Sequence, residues 1–226
     1  MTPDELVRVP SVPECELDPA IVAQLPPTAP PAPWACVASA IVWSHLAPAA
    51  AQEALSPALR GMHARGVVGG FVRYHESPVG GYDEVFGNVG YLRGAQLRAS
   101  VAFMAVDKPA SLVGGRSNWS MPKTLATFEG EPRAGQTMRA IGTDWSVEVR
   151  PSTLGPALPI RRRLVCEQAW PDGSVRTCLM EMRGRGRVAL VTVSVESRRS
   201  LAAWLRPGRH LGVVFETVEF TLSTAR

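Results

Sequence analysis

One lysine is the residue in this chain best suited to covalent chemistry. Only two of the 24 basic residues are lysines, Lys108 and Lys123, and the other 22 are arginines. An arginine keeps its proton, whereas a buried lysine can lose it and attack a carbonyl carbon to form a Schiff base. Spacing alone is more typical of an ordinary solvated lysine, so a nucleophilic Lys123 is a hypothesis that its surroundings must support.

The residues around Lys123 favour an uncharged amine. Met121 and Pro122 precede it, and Leu125 and Ala126 follow it closely. Apolar walls disfavour an ammonium ion because they replace the water that would solvate the charge. We therefore predict that Lys123 is the catalytic nucleophile, with Met121 in the wall of its pocket.

Two glutamates bracket a tight turn that could bring them to a ligand. Glu76 precedes the turn at 77–81, which contains Pro78 and two glycines, and Glu84 follows it. A carboxylate beside a Schiff base can move protons or hold a water molecule, so both are candidate catalytic residues. The alternative is that both are solvated charges at a hairpin.

Further side chains are candidates for binding a substrate. Arg116 could bind a carboxylate through two hydrogen bonds, or it could brace the loop before Lys123, and the sequence leaves both roles open. Tyr74, Tyr82 and Trp119 are interpreted as pocket walls or core residues. No spacing of cysteines or histidines is typical of a metal site, and no cofactor is expected.

The elements that must position these residues are mostly strands. Apolar alternation and glycine or proline punctuation predict an antiparallel β-protein with a few short helices, closed or nearly closed because closure removes exposed strand edges. A short helix is predicted over 108–117, immediately before Lys123. From residue 124 onward the predicted strands are 124–131, 136–142, 144–150, 160–169, 174–183, 187–196 and 210–223, with breaks at Gly155-Pro156 and at 184–186.

The N-terminal segment 1–33 differs in composition from the rest of the chain. Prolines are concentrated there, and proline fixes φ and removes a hydrogen-bond donor. We predict an extended N-terminal arm at 1–33, lying on the body or on a neighbouring subunit, and a single β domain at 34–226.

Bulk properties exclude several classes of protein. The net charge is +4 and the arginine runs carry no aromatic interleaving, so no nucleic-acid partner is expected, and a nucleic-acid-binding protein is only a remote alternative. No apolar run is long enough to predict a membrane span, and the acidic N-terminus does not resemble a signal peptide. Isolated cysteines are consistent with a cytoplasmic protein.

Two segments resemble motifs of the acetoacetate decarboxylase-like superfamily. Residues 74–85 are similar to its Y-x-x-S-P-V-G-x-Y-x-E segment, and residues 115–123 are similar to its G-R-E-x-W-G-x-P-K segment. A strand ending in Asp107 lies between them, as in the family. The resemblance covers about 74–126 and implies a β-barrel or double-cone fold, a homo-oligomer, and Lys123 as the Schiff-base lysine for a small keto acid.

The chain also departs from the family pattern beside the lysine. The decarboxylases carry a second lysine where this chain has Thr124, and an acid where it has Ser117. In that family the nucleophile is a known example of a lysine activated by desolvation or by a neighbouring cation. Two hypotheses follow: a Schiff-base lyase for a keto acid, catalysing decarboxylation or aldol addition with dehydration, or a catalytically silent protein of the same fold that binds a small ligand.

Overall fold

A single sheet of ten strands dominates the computed structural model, which describes residues 1–226. The strands are β1 (Trp34–Leu46), β2 (Ala64–Glu76), β3 (Tyr82–Arg93), β4 (Gln96–Val106), β5 (Lys123–Leu125), β6 (Thr127–Gly130), β7 (Met138–Ile141), β8 (Trp145–Ala169), β9 (Val175–Ser197) and β10 (Gly208–Leu222). The prediction of a mainly β protein is confirmed.

The helices are few and short, as predicted. They are α1 (Pro3–Val7), α2 (Pro19–Val22), α3 (Ala50–Ala54), α4 (Pro109–Trp119) and α5 (Leu201–Trp204), with 3-10 turns at Pro13–Cys15 and Pro57–Leu59. The longest, α4, begins with proline at its first position, where the missing N–H has no intrahelical partner to lose. None of the helices has the length and apolar character needed to cross a membrane.

The order of strands across the sheet is β5-β4-β3-β2-β1-β10-β9-β8-β7-β6. Neighbours are antiparallel except β4 and β5, which run parallel. An additional pairing joins β4 to β8 at Ala99 and Cys166. The sheet therefore bends far enough to bring two strands together that are separated by five others in the strand order.

The second half of the chain has fewer and longer strands than predicted. The predicted breaks at Gly155-Pro156 and at 184–186 are wrong, because β8 and β9 run through them as one long hairpin. A register shift between Leu154 and Leu158 takes up the extra residues. Gly184 allows close approach instead of a turn, since a Cβ there would lie 2.7 Å from the carbonyl oxygen of Thr217.

The buried apolar residues form two clusters, one of which surrounds Lys123. The larger includes Trp43, Phe71 and Phe103 and stabilises the body of the sheet. The smaller includes Tyr82, Trp119 and other side chains facing α4 and β5. The lysine therefore lies in a second, separate core.

The N-terminal segment 1–33 packs against its own chain. Three short helical turns alternate with extended backbone, and Leu6, Val9, Val12 and Cys15 are buried. The segment therefore contacts the body of the same chain, which is one of the two placements predicted from sequence.

Candidate active site

Lys123 lies at the start of β5, next to Met104 of β4, and only 3% of it is exposed. Its Nζ donates hydrogen bonds to Oε2 of Glu84 at 2.7 Å and to Oγ of Ser111 at 2.9 Å. A buried charge needs a partner of this kind, because removal from water is otherwise costly. The apolar residues next to Lys123 in the sequence predict an apolar pocket, whereas the structure gives its amine two polar partners.

The chain reaches Lys123 through a sharp turn after α4. The helix ends at Trp119, and Ser120 adopts the left-handed conformation with φ 54°. The backbone N–H of Ser120 donates to the carbonyl oxygen of Arg116, which closes the end of the helix. This reversal sends the lysine side chain back along the helix.

Gly115 leaves room for that side chain. A Cβ at this position would lie 2.5 Å from both Cδ and Cε of Lys123. Ser111 is one turn earlier on the same face of α4, so the helix presents a gap for the stem and a hydroxyl for the amine.

Glu84 joins Lys123 to a pair of tyrosines. Its Oε1 accepts a hydrogen bond from the hydroxyl of Tyr74 at 3.0 Å, while Oε2 accepts from Lys123. The ring of Tyr74 stacks on that of Tyr82, with centroids 4.0 Å apart, and Lys123 Nζ lies 5.2 Å from the Tyr82 centroid. Tyr74, Glu84, Lys123 and Ser111 form one buried chain of hydrogen bonds.

The hydroxyl and thiol groups around Glu84 keep their protons. Burial, followed by the charge of Glu84, raises the pKa of both Tyr74 and Tyr82 well above the usual value. The same two causes raise the pKa of Cys36 to about 12. Tyr74 is therefore a hydrogen-bond donor to the carboxylate at any physiological pH.

Arg116 braces the loop and does not face the amine of Lys123. It is fully buried, and its guanidinium donates to the carbonyl oxygens of Lys123 at 2.7 Å, Leu6 at 2.6 Å and Cys15 at 2.6 Å. Burial lowers the pKa of Arg116 to about 10, so it stays charged near neutral pH. Two roles are predicted for Arg116, binding a carboxylate and bracing the loop before Lys123, and these contacts are those of a brace.

Not all of the remaining predicted site residues lie beside the lysine. Met121 and Trp119 are buried in the same cluster, and the indole N–H of Trp119 donates to the carbonyl oxygen of Ser223. Glu76 is exposed at the end of β2, at an open hollow of about 700 Å³ that also contains Arg183 and Glu219. Glu76 is therefore not part of the hydrogen-bonded chain around Lys123.

The sequence interpretation misses two functional groups. Ser111 belongs to no motif, although its spacing of four residues from Gly115 places both on the face of α4 that meets Lys123. Tyr74 is predicted as a wall or core residue, whereas its hydroxyl contacts Glu84. No group of three or more His, Cys, Asp or Glu side chains is arranged to hold a metal ion.

We expect Gly115→Ala to impair the site by crowding the lysine stem. Overpacking of this kind typically costs about 1–3 kcal/mol, and the amine is expected to leave its hydrogen bonds with Glu84 and Ser111. Urea denaturation and the rate of covalent labelling of Lys123 measure the two effects. Gly61→Ala is the matched control, since no atom lies within 4 Å of its added Cβ. Equal behaviour of the two variants would contradict the packing argument.

Because its thiols are buried, the protein is expected to lose stability at alkaline pH. The pKa of Cys15 and of Cys36 rises from 9.0 to about 12, mainly because of burial. Between these values the unfolded chain releases protons that the folded chain retains, so the free energy of unfolding falls as pH rises. We expect roughly 1 kcal/mol lost per thiol by pH 10.

Urea denaturation at pH 8, 9 and 10 tests this prediction. The Cys36→Ala variant should show a shallower decline than the parent chain over the same interval. An identical slope in both proteins would show that this thiol does not contribute.

Comparison with known proteins shows the fold. No protein-family model matches the chain, and no curated protein matches it in sequence. Among solved structures, it is similar to MppR, an enduracididine biosynthesis enzyme complexed with pyruvate, with a TM-score of 0.63 at 14% identity over 87% of this chain and 90% of that one.

Two acetoacetate decarboxylase structures are also similar. One has a TM-score of 0.63 at 14% identity, covering 100% of this chain and 97% of that chain. The other, from Legionella pneumophila, has a TM-score of 0.59 at 16% identity and covers 88% of each chain. The chain therefore has the acetoacetate decarboxylase-like fold expected from its two motifs.

Proposed function

We propose that this protein is a lyase that forms a Schiff base between Lys123 and the keto group of a small keto acid. The observation that carries the proposal is the buried ion pair of Lys123 with Glu84, held between the hydroxyls of Ser111 and Tyr74. A lysine enclosed in this way has a single carboxylate to which it can transfer its proton. That arrangement couples a nucleophile to a base.

The proposed reaction begins with proton transfer from the ammonium of Lys123 to Glu84. The free amine attacks the keto carbon, and the protonated Glu84 returns its proton to the departing hydroxyl, so that water leaves and an iminium ion forms. A 3-oxo acid then loses carbon dioxide to give an enamine, whose carbon takes up a proton from water to form the iminium ion of the product. A 2-oxo acid instead loses a β-proton to Glu84, and the resulting enamine can add to an aldehyde. Water finally releases the product and restores the amine.

The solved structures of similar fold support a keto acid as substrate. MppR has been observed with pyruvate and with the condensation product of pyruvate and imidazole 4-carboxaldehyde. Pyruvate is the smallest 2-oxo acid that carries a keto group, so it is the first compound to test with this chain.

A catalytically silent binding protein is the second candidate. Thr124 stands where decarboxylases of the family carry a second lysine, and the amine of Lys123 is already held in a salt bridge with Glu84. In such a protein the amine would bind a ligand through charge alone and form no covalent bond.

The proposal includes an assembly and a location. We propose a homo-oligomer whose sheet closes into a barrel through the contact of β4 with β8. Exposed apolar side chains such as Leu46, Leu158 and Leu211 support contact between copies. The four free cysteines are compatible with the reducing cytoplasm.

Reductive trapping tests the function. The protein is incubated with pyruvate, 2-oxobutyrate and acetoacetate, reduced with borohydride and digested for mass spectrometry. Only two lysines are present, so Lys108, whose Nζ donates to the carbonyl oxygen of Gly81, is an internal control. An adduct on the Lys123 peptide alone supports the enzyme. Absence of any adduct across the panel favours the silent binding protein.

A further inference from the structure

A row of four side chains leads away from the Lys123 site across the sheet. Cys36 of β1 pairs with Phe220 of β10, Phe220 with Met182 of β9, and Met182 with Arg162 of β8. Residues paired across antiparallel strands point to the same face, so these four share one face of the sheet.

That face is the one on which Lys123 lies. Cys36 belongs to the apolar cluster that encloses the lysine. The pKa of its thiol is raised mainly by burial, is raised further by the charge of Glu84 and is lowered by that of Lys123. The ring of Phe220 contacts that of Tyr74 edge to face, with centroids 5.7 Å apart. The row therefore begins beside the hydrogen-bonded chain of the site.

Exposure increases steadily along the row. Cys36 is buried, Phe220 and Met182 are half-buried, and Arg162 is exposed, and all four line the open hollow at the end of β2. Ile160, the next residue of β8 on the same face, packs against the same apolar cluster. The row thus passes from the apolar cluster around the lysine to solvent and ends at a positive charge.

Arg162 lacks a carboxylate partner of the kind that Arg163 and Arg183 have. Arg163 lies 3.7 Å from Glu181 and Arg183 lies 2.6 Å from Glu219, whereas the only hydrogen bond of Arg162 is to the carbonyl oxygen of Arg161 at 2.9 Å. Its guanidinium can accept a bidentate anion without breaking an ion pair.

We propose that the substrate carries a second anionic group, separated from its keto carbon by an apolar chain, and that Arg162 binds this group. The inference rests on the proposed function of Lys123. Adjacent strands are about 4.8 Å apart, so three steps from Cys36 to Arg162 span roughly 14 Å, of which the arginine side chain can cover about half. A keto dicarboxylic acid of seven to nine carbons is the substrate class of matching length.

The test compares 2-oxosuberate with 2-oxooctanoate, which has the same chain length but no distal carboxylate. In the parent protein we expect half-saturation of reductive trapping at a concentration about 10-fold lower for the dicarboxylate. In Arg162→Ala this preference should fall to about one. Arg150→Ala is the matched control, since Arg150 is an exposed arginine of β8 that does not line the hollow, and it should retain the preference.

Different outcomes separate the two proposals. If pyruvate is trapped but the dicarboxylate has no advantage, or if Arg162→Ala keeps the advantage, the distal site is wrong and the Schiff base stands. If nothing is trapped but calorimetry shows that 2-oxosuberate binds and that Arg162→Ala weakens its binding, the distal site stands and the Schiff base is wrong. If nothing is trapped and nothing binds, both are wrong.

Discussion

Lys123→Met is expected to abolish adduct formation with every keto acid and to lower the free energy of unfolding by about 3–5 kcal/mol. Methionine has a similar length and no amine, so the nucleophile is lost with little change in volume. The loss of stability arises because the carboxyl group of Glu84, of which 3% is exposed, is left buried without the partner that lies 2.7 Å away in the parent. Borohydride trapping and urea denaturation measure the two effects separately.

A double variant distinguishes the loss of chemistry from the loss of structure. Lys123→Met combined with Glu84→Leu removes both charges, and such replacements of a buried ion pair are often neutral or stabilising. We expect the double variant to recover most of the stability and none of the reactivity. Trapping that persists in Lys123→Met would place the reactive amine elsewhere.

Arg116→Met is expected to have the second largest effect, a loss of stability of about 3 kcal/mol. The substitution leaves the carbonyl oxygens of Leu6, Cys15 and Lys123 without their buried donor, and each unsatisfied group costs about 1–3 kcal/mol. Removal of the buried guanidinium offsets part of this cost, since burial already disfavours its charge.

Hydrogen exchange locates the effect of this variant. Amides of the segment 1–17 and of β5 should lose protection together, because one side chain holds both segments. Arg150→Met, at an exposed arginine of β8, is the control and should leave the exchange pattern unchanged. Selective loss of protection elsewhere in the sheet would contradict the assignment of Arg116 as a brace.

The sequence is sufficient to predict the two residues at the centre of the candidate site. Lys123 and Glu84 are both predicted from local signals, namely a rare lysine after a helix and an acid after a tight turn, and the structure pairs them directly. The β class can also be predicted, since apolar alternation and glycine or proline punctuation are short-range properties.

Features that depend on distant contacts cannot be predicted in this way. Glu76 lies apart from the site because β2 changes register beside β1, where Val37 pairs with Glu76 and Ala38 with Tyr74, and no local pattern signals that bulge. The role of Arg116 depends on carbonyl groups about 100 residues earlier in the chain. The sequence predicts several short strands where β8 and β9 form one long hairpin, because glycines within the hairpin look like turn residues.

The brace at Arg116 has a consequence for how the chain folds as it is synthesised. The first of its acceptors, Leu6, is separated from it by 110 residues, so the N-terminal segment cannot reach its final contacts until more than half of the chain has been made. Closing so long a loop is entropically costly and slows folding. We infer that the docking of this segment and the ordering of the Lys123 backbone are one late event, so that a newly made chain completes the surroundings of Lys123 only when its earliest residues are finally bound.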